Sequence, residues 1–270
     1  MSFDFKTRVE FIDIKDQIRP FDLLAFRGTD LISHLVLALE EEKTGCNGFS
    51  HVGMVVTKEI LDSFVSDNGE IIYLEPGKIY VYESTITYNI PGTPADGIPD
   101  ITSGKTAIGV QLRDFEEVMA NYLKDSKAAI GWCKVKDNPY DNYENESEES
   151  LEARRKIISE RFTKLFESYR GRNYETDVLG LVGSLFPGSR KIRNLRDKVV
   201  SSICEGLEKI GLFNNGAPDW QFCSEFVANI YIEFDILPEN IDARNVLPVD
   251  FFGSDQDGMP VVVEPPIFLN

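Results

Sequence analysis

Apolar residues follow two different rhythms along this chain, and the change falls near its middle. In the first half they come in short runs and alternations, the pattern of strands. Asp22 to Phe26 follows a turn at Pro20 and predicts a short strand. Ser50 to Thr57, carrying Val52, Val55 and Val56, predicts another that opens at His51. Further strands are predicted near Ile71 to Leu74 and Ile79 to Thr85, parted by the turn residues Glu75-Pro76-Gly77-Lys78. Ala107 to Leu112 and Ala128 to Val135 complete the set. Two helices interrupt it. Leu31, Leu35, Ala38 and Leu39 recur at helical spacing behind a Thr29-Asp30 cap, as far as about Glu42, and Gly45 to Gly48 breaks the run. A shorter helix is predicted from Asp114 to Leu123. Ile90 to Gly104, rich in Pro and Gly, predicts a loop.

The second half is helical in period. Leu151 to Tyr169 sets Ile158, Phe162, Leu165, Phe166 and Tyr169 on one stripe. Arg196 to Ile210, closed by Gly211, and Phe222 to Phe234, stopped by Leu237-Pro238, read as two more helices. Between the halves, Asp137 to Ser150 holds Asn, Asp, Glu and Tyr with almost no aliphatic residue, the composition of a mobile acidic insert or a hinge. No internal repeat is visible. A strand-rich half followed by a helix-rich half predicts an α+β fold, read as one domain over residues 1–270.

Composition narrows the function classes. With 42% hydrophobic residues the chain can bury a substantial core, and 45 acidic against 28 basic residues give a net charge of −17. That field repels phosphate backbones and anionic lipid, so no nucleic-acid partner is expected. No apolar run is long enough to cross a bilayer, and Met1 to Glu10 has no apolar signal core, so a cytoplasmic location is expected. Four cysteines without a C-x-x-C pair, and only two histidines, argue against a disulfide framework or a zinc site. Free thiols, no metal and no cofactor are expected.

Candidate chemistry starts from those two histidines, because acid–base work near neutral pH most often uses one. His34 lies within the apolar helix and reads as an ordinary helix residue. His51 stands at a loop-to-strand junction, where a side chain reaches the rim of a sheet, and Gly53 beside it leaves room for close approach of another backbone or a ligand. Among the thiols, Cys223 differs in opening a helix, since Phe222, Phe226, Ile230 and Phe234 then repeat every four residues. Unpaired N–H groups and the helix dipole at that position favour a thiolate and offer donors for an oxyanion. Cys46, Cys133 and Cys204 sit in a loop, a strand and a helix interior and read as structural. Taken singly, His51 and Cys223 each also have an ordinary structural reading.

Their company changes the weighing. Phe49-Ser50-His51-Val52-Gly53-Met54-Val55-Val56 resembles the "F-S-H-V-G-[IM]-V-V" segment of the circularly permuted NlpC-type, papain-like cysteine hydrolases, in their YiiX-like branch. Phe21-Asp22-Leu23-Leu24-Ala25-Phe26-Arg27-Gly28 resembles the family's opening "G-D-L-[IL]-x-F-R-G" strand, with Phe21 where glycine is usual. Cys223-Ser224-Glu225-Phe226-Val227 is similar to its "C-S-E-[LF]-V" nucleophile helix, and Leu247-Pro248-Val249-Asp250-Phe251 to the "[TL]-P-x-D-[LF]" element after it. All four keep the family's order, over positions 21 to 251. Segments 86–170 and 176–215 carry no such resemblance.

The resemblance implies a permuted papain-like fold: an antiparallel sheet with packed helices and an extra helical segment. Papain-like chains ordinarily place cysteine before histidine; here His51 comes first, which a permuted chain allows because geometry, not order, defines the pair. It implies Cys223 as nucleophile and His51 as general base. Glu83, in Tyr80-Val81-Tyr82-Glu83-Ser84, looks like the family's "V-[IY]-E-[AS]" glutamate and would orient the imidazole; a solvated strand glutamate is the other reading, and Asp62 and Glu75 are weaker choices. Tyr174 resembles the tyrosine of "G-x-P-Y-[DE]", with Asn173 replacing proline. It is either an oxyanion donor or a core tyrosine, and Ser224 is a further contact for oxyanion or substrate. The implied activity is a cysteine hydrolase of amidase or peptidase type, or an acyl-ester or thioesterase, on an acyl, amide or peptide substrate, a protein among them. An acyltransferase using lipid-like substrates, or an idle binding module retaining the fold, are the alternatives.

Overall fold

The computed structural model describes residues 3–270 apart from positions 30, 47, 107, 145 and 171 and segments 87–96, 173–221 and 254–258. In chain order its elements are β1 Arg8–Val9, α1 Phe11–Ile14, β2 Leu23–Arg27, α2 Leu31–Thr44, β3 His51–Val56, β4 Ser63–Val65, β5 Ile71–Tyr73, β6 Tyr80–Ile86 and β7 Ile108–Asp114. They continue as α3 Phe115–Tyr122, β8 Ala129–Cys133, α4 Glu148–Tyr169, α5 Cys223–Glu233 and β9 Ile267–Leu269. Two 3-10 turns, Ala243–Asn245 and Pro248–Phe252, follow α5. The fold is mixed α+β. The expected helix over Arg196 to Ile210 lies outside the described residues, as does segment 176–215. No described helix is long and apolar enough to cross a membrane.

Seven strands form one sheet in the order β1-β9-β8-β2-β3-β6-β7, antiparallel except where β1 lies parallel to β9. Alternation along the central strands gives the sheet two apolar faces, because successive side chains point to opposite sides. Leu23, Ala25, Val52, Met54, Val56, Tyr80, Tyr82 and Leu112 face α4 and α5, where Phe162, Phe166, Phe226, Ile230 and Tyr231 cover them. Each fully buried ring or aliphatic chain there contributes about 1.5–3 kcal/mol. Leu24, Phe26, Val55, Val81, Ile130 and Trp132 face the other way, toward Phe11 of α1 and Phe115 and Val118 of α3.

The helix stripe predicted for α4 is the buried one: Ile158, Phe162 and Phe166 are buried, with Leu165 and Tyr169 packed beside them. α3 begins where its cap lies, the Asp114 carboxylate accepting from the Glu117 N–H at 3.1 Å. The acidic segment read as a mobile insert is fastened to α4. Arg154 donates to the Asp141 carbonyl at 2.6 Å and to Glu146, also at 2.6 Å, and its guanidinium lies over the Tyr143 ring. Two cysteines read as core or surface residues, Cys46 and Cys133, are both buried.

The start of β2 explains the glycine of the resembling motif. Phe21 has φ +69°, the left-handed region that costs a non-glycine residue about 1–2 kcal/mol. Its ring is fully buried, 4.7 Å from that of Phe234 and edge-on to Phe162, and the Tyr231 hydroxyl donates to its carbonyl at 2.7 Å. Aromatic packing offsets the backbone strain.

Candidate active site

His51 is the first residue of β3, paired with Phe26 across the ladder, and the loop leading into it is firmly held. The Ser50 N–H donates to the Phe26 carbonyl at 2.8 Å, and the Gly28 N–H donates to the Ser50 hydroxyl, also at 2.8 Å. One turn earlier, the buried Glu40 carboxylate accepts from the N–H groups of Gly48 at 3.0 Å and Phe49 at 3.1 Å. Its other oxygen accepts from Val249 at 2.9 Å, in the 3-10 turn after α5. Burial, aided by Asp250, pushes Glu40 up to about 8 against the pull of those three donors. Through it the histidine loop and the segment following the cysteine helix are tied together.

The imidazole projects from the sheet face that carries Gly53 and Val55, against the ring of Phe26 at 5.3 Å. Glu83 on β6 leans across to meet it, its Oε2 in contact with Nε2 of His51. Gly53 makes that possible. A Cβ at position 53 would lie 2.5 Å from Val81 Cγ2 and 3.1 Å from Glu83 Cβ, so any side chain there would displace the carboxylate.

The sulfur arrives from the other layer. α5 packs on the opposite face against β3 and β6, and its first residue, Cys223, reaches the end of β3. Cys223 stands beside the His51 side chain, close enough to strengthen its hold on a proton, while Nε2 of the ring faces Glu83. Cys223 is buried, Glu83 fully so, and the His51 side chain keeps 16% of its surface exposed. α5 starts abruptly behind Phe222, whose N–H donates to Glu225 at 3.4 Å, so the N–H groups of its first turn lack helical partners.

Electrostatics favour a proton on the imidazole. Burial by itself would drive the ring neutral, but Cys223 and Glu83 outweigh it and raise His51 to about 10. Burial likewise pushes the Glu83 carboxyl up, but Arg113 and His51 overcome it and hold the group at about 2. Arg113, on β7, grips Oε1 of Glu83 from Nε at 2.8 Å and Nη2 at 2.5 Å. A buried row of groups results: guanidinium, carboxylate, imidazole and sulfur.

The remaining expected residues fall elsewhere. Ser224 is buried, and its hydroxyl donates to the Val246 carbonyl at 2.6 Å, so an oxyanion contact from this residue falls to its backbone N–H. Asp62 and Glu75 lie on the surface beside Lys58 and Lys78, away from His51. His34 is exposed on α2. Tyr174 and Cys204 lie outside the described residues. Asp250, in the fourth motif, caps its own turn by accepting from the Leu247 N–H at 2.8 Å. Arg113 escaped the sequence reading altogether. Its signal was the alternation Val110-Gln111-Leu112-Arg113, which puts Gln111 and Arg113 on one strand face; only the strand order shows that this face adjoins Glu83.

No protein-family model matches the chain, and comparison with curated proteins gives no significant match.

Proposed function

We propose that this chain is a cysteine hydrolase with a circularly permuted papain-like fold, acting on an acyl amide, ester or thioester through Cys223, His51 and Glu83. The observation that carries this reading is one imidazole that stands beside a helix-start sulfur and meets a buried, ionised carboxylate through Nε2. That arrangement gives a nucleophile, a proton carrier and an orienting group in one row.

In the proposed reaction the Cys223 thiol proton resides on His51, and the thiolate adds to the acyl carbonyl carbon. A C–S bond forms as the carbonyl electron pair moves to oxygen, which the first-turn N–H groups of α5 stabilise. The oxyanion collapses, the bond to the leaving group breaks, and His51 gives that group its proton. Water then adds to the thioester while His51 takes one of its protons. Breaking the C–S bond releases the acid and restores the thiolate. Glu83 fixes the ring and balances its charge throughout.

An acyloxymethyl ketone probe tests this directly. Wild-type protein is expected to be labelled at Cys223 ahead of Cys46 and Cys133, with the rate falling about a hundredfold or more in His51→Ala. Even labelling of all thiols, or a His51→Ala variant as reactive as the parent, would sink the reading.

A further inference from the structure

Building on the Cys223–His51–Glu83 reading, we propose that Arg113 is a positioning residue of this site: it holds one oxygen of Glu83 so that the other stays an ionised acceptor aimed at His51. Three observations meet on that point. First, the two oxygens of Glu83 are divided between two partners. Nε and Nη2 of Arg113 converge on Oε1 at 2.8 and 2.5 Å, while Oε2 meets Nε2 of His51. Second, the sheet register builds the division in. Glu83 pairs with Gln111, so Arg113 lies diagonally to one side of it on β7 and His51 to the other side on β3. Third, Glu83 and Arg113 are 0% and 3% exposed, too deep for water to replace either partner.

The physical consequence concerns the proton. A carboxylate at this depth without a cation beside it takes up a proton, because burial penalises the charged form. A protonated Glu83 no longer balances an imidazolium, so His51 ceases to hold the Cys223 proton. The charged groups facing Glu83 among the described residues are Arg113 from β7 and His51 from β3; Cys223 on α5 acts on it through His51, and Gln111 is neutral. Of these, only Arg113 stays positively charged whatever the state of the imidazole. The planar fork also fixes direction, which a lysine would do less well.

The test follows the rate of Cys223 labelling by the acyloxymethyl ketone from pH 4.5 to 9, in wild type, Arg113→Gln, Arg113→Lys, Glu83→Gln and the Glu83→Gln/Arg113→Gln double variant. In Arg113→Gln an acid limb should enter this range, below which the rate falls about tenfold per pH unit, with recovery toward the wild-type rate above it. Arg113→Lys, keeping the charge, should move that limb less. In the Glu83→Gln background the arginine substitution should change nothing further, as expected if it acts through the carboxylate. A wild-type profile in Arg113→Gln overturns the proposal, and so does an equal loss at every pH that persists in the Glu83→Gln background. Should Arg113→Gln fail to fold, Arg113→Met takes its place, and a wild-type profile in that variant overturns the proposal. Failure of the underlying reading looks different: the wild type itself would be unlabelled, or His51→Ala would react like the parent.

Discussion

Asp22, just ahead of β2, and Glu83, on β6, are both fully buried, yet the protein treats their charges in opposite ways. Asp22 is surrounded by neutral donors. Its carboxylate accepts from the Arg19 N–H at 2.9 Å, the Trp132 indole N–H at 2.8 Å and the Val135 N–H at 3.1 Å. Burial outruns these bonds and pushes Asp22 up to about 6. Glu83 faces Arg113 and the imidazole instead, and burial there is overcome, leaving the group at about 2. Neutral donors sew distant chain segments together, here β2 to the end of β8, and tolerate a proton on the carboxyl. Charged partners keep the negative charge in place. The first arrangement ties a fold together; the second holds a negative charge beside a neighbouring ring.

The largest expected effect comes from breaking the charged row. Glu83→Ala leaves the Arg113 guanidinium buried without this partner and should cost about 3–5 kcal/mol in urea unfolding, with Cys223 labelling slowed as well. A loss below 1 kcal/mol would show that the guanidinium finds water or another partner.

The two carboxylates should then differ in the sign of their pH dependence. Asp22 has a folded pKa near 6, above its ordinary 3.8, so its stabilising contribution is whole below 3.8 and disappears as pH rises through about 6. Glu83 lies below its ordinary 4.5, so its contribution is whole above 4.5 and disappears as pH falls toward about 2. Asp22→Asn should remove about 3 kcal/mol of the stability change between those first two pH values while leaving the labelling profile of Cys223 in place. An altered profile would mean that Asp22 belongs with the site after all.

Smaller effects sharpen the contrast. Gly53→Ala forces a Cβ against Val81 and Glu83, and about 1–3 kcal/mol of overpacking is expected, together with slower labelling because the carboxylate shifts. Unchanged reactivity would show that the contact to His51 tolerates displacement. At the bottom of the scale, Glu233→Gln breaks an exposed pair with Arg161 and should change the unfolding free energy by less than about 0.5 kcal/mol. Comparing it with Glu83→Ala separates the effect of burial from that of charge alone.

Much of this was legible one residue at a time. The α4 stripe, the helix starting near Asp114 and the strand opening at His51 follow from local spacing, and the structure keeps them within a few residues. Gly53 reads as leaving room for another backbone or a ligand, whereas its tightest neighbours are the side chains of Val81 and Glu83. The short strands β1, β4 and β9 were missed, since each has only two or three residues and takes its pairing from a distant or turn-linked partner. Arg113 was missed for a related reason. An arginine in an alternating strand looks solvent-facing until the adjoining strand and the covering layer are known.

The chain's own spacing picked out three candidate residues: a thiol at a helix start, an imidazole at a strand start and a glutamate on a β-rich run. Those are local properties, set by backbone period and side-chain type. Only the tertiary structure decided that the three meet, that an arginine backs them, and that Asp22 does not join them. Strand order and register bring together groups far apart in sequence, and burial then makes each neighbour's charge decisive.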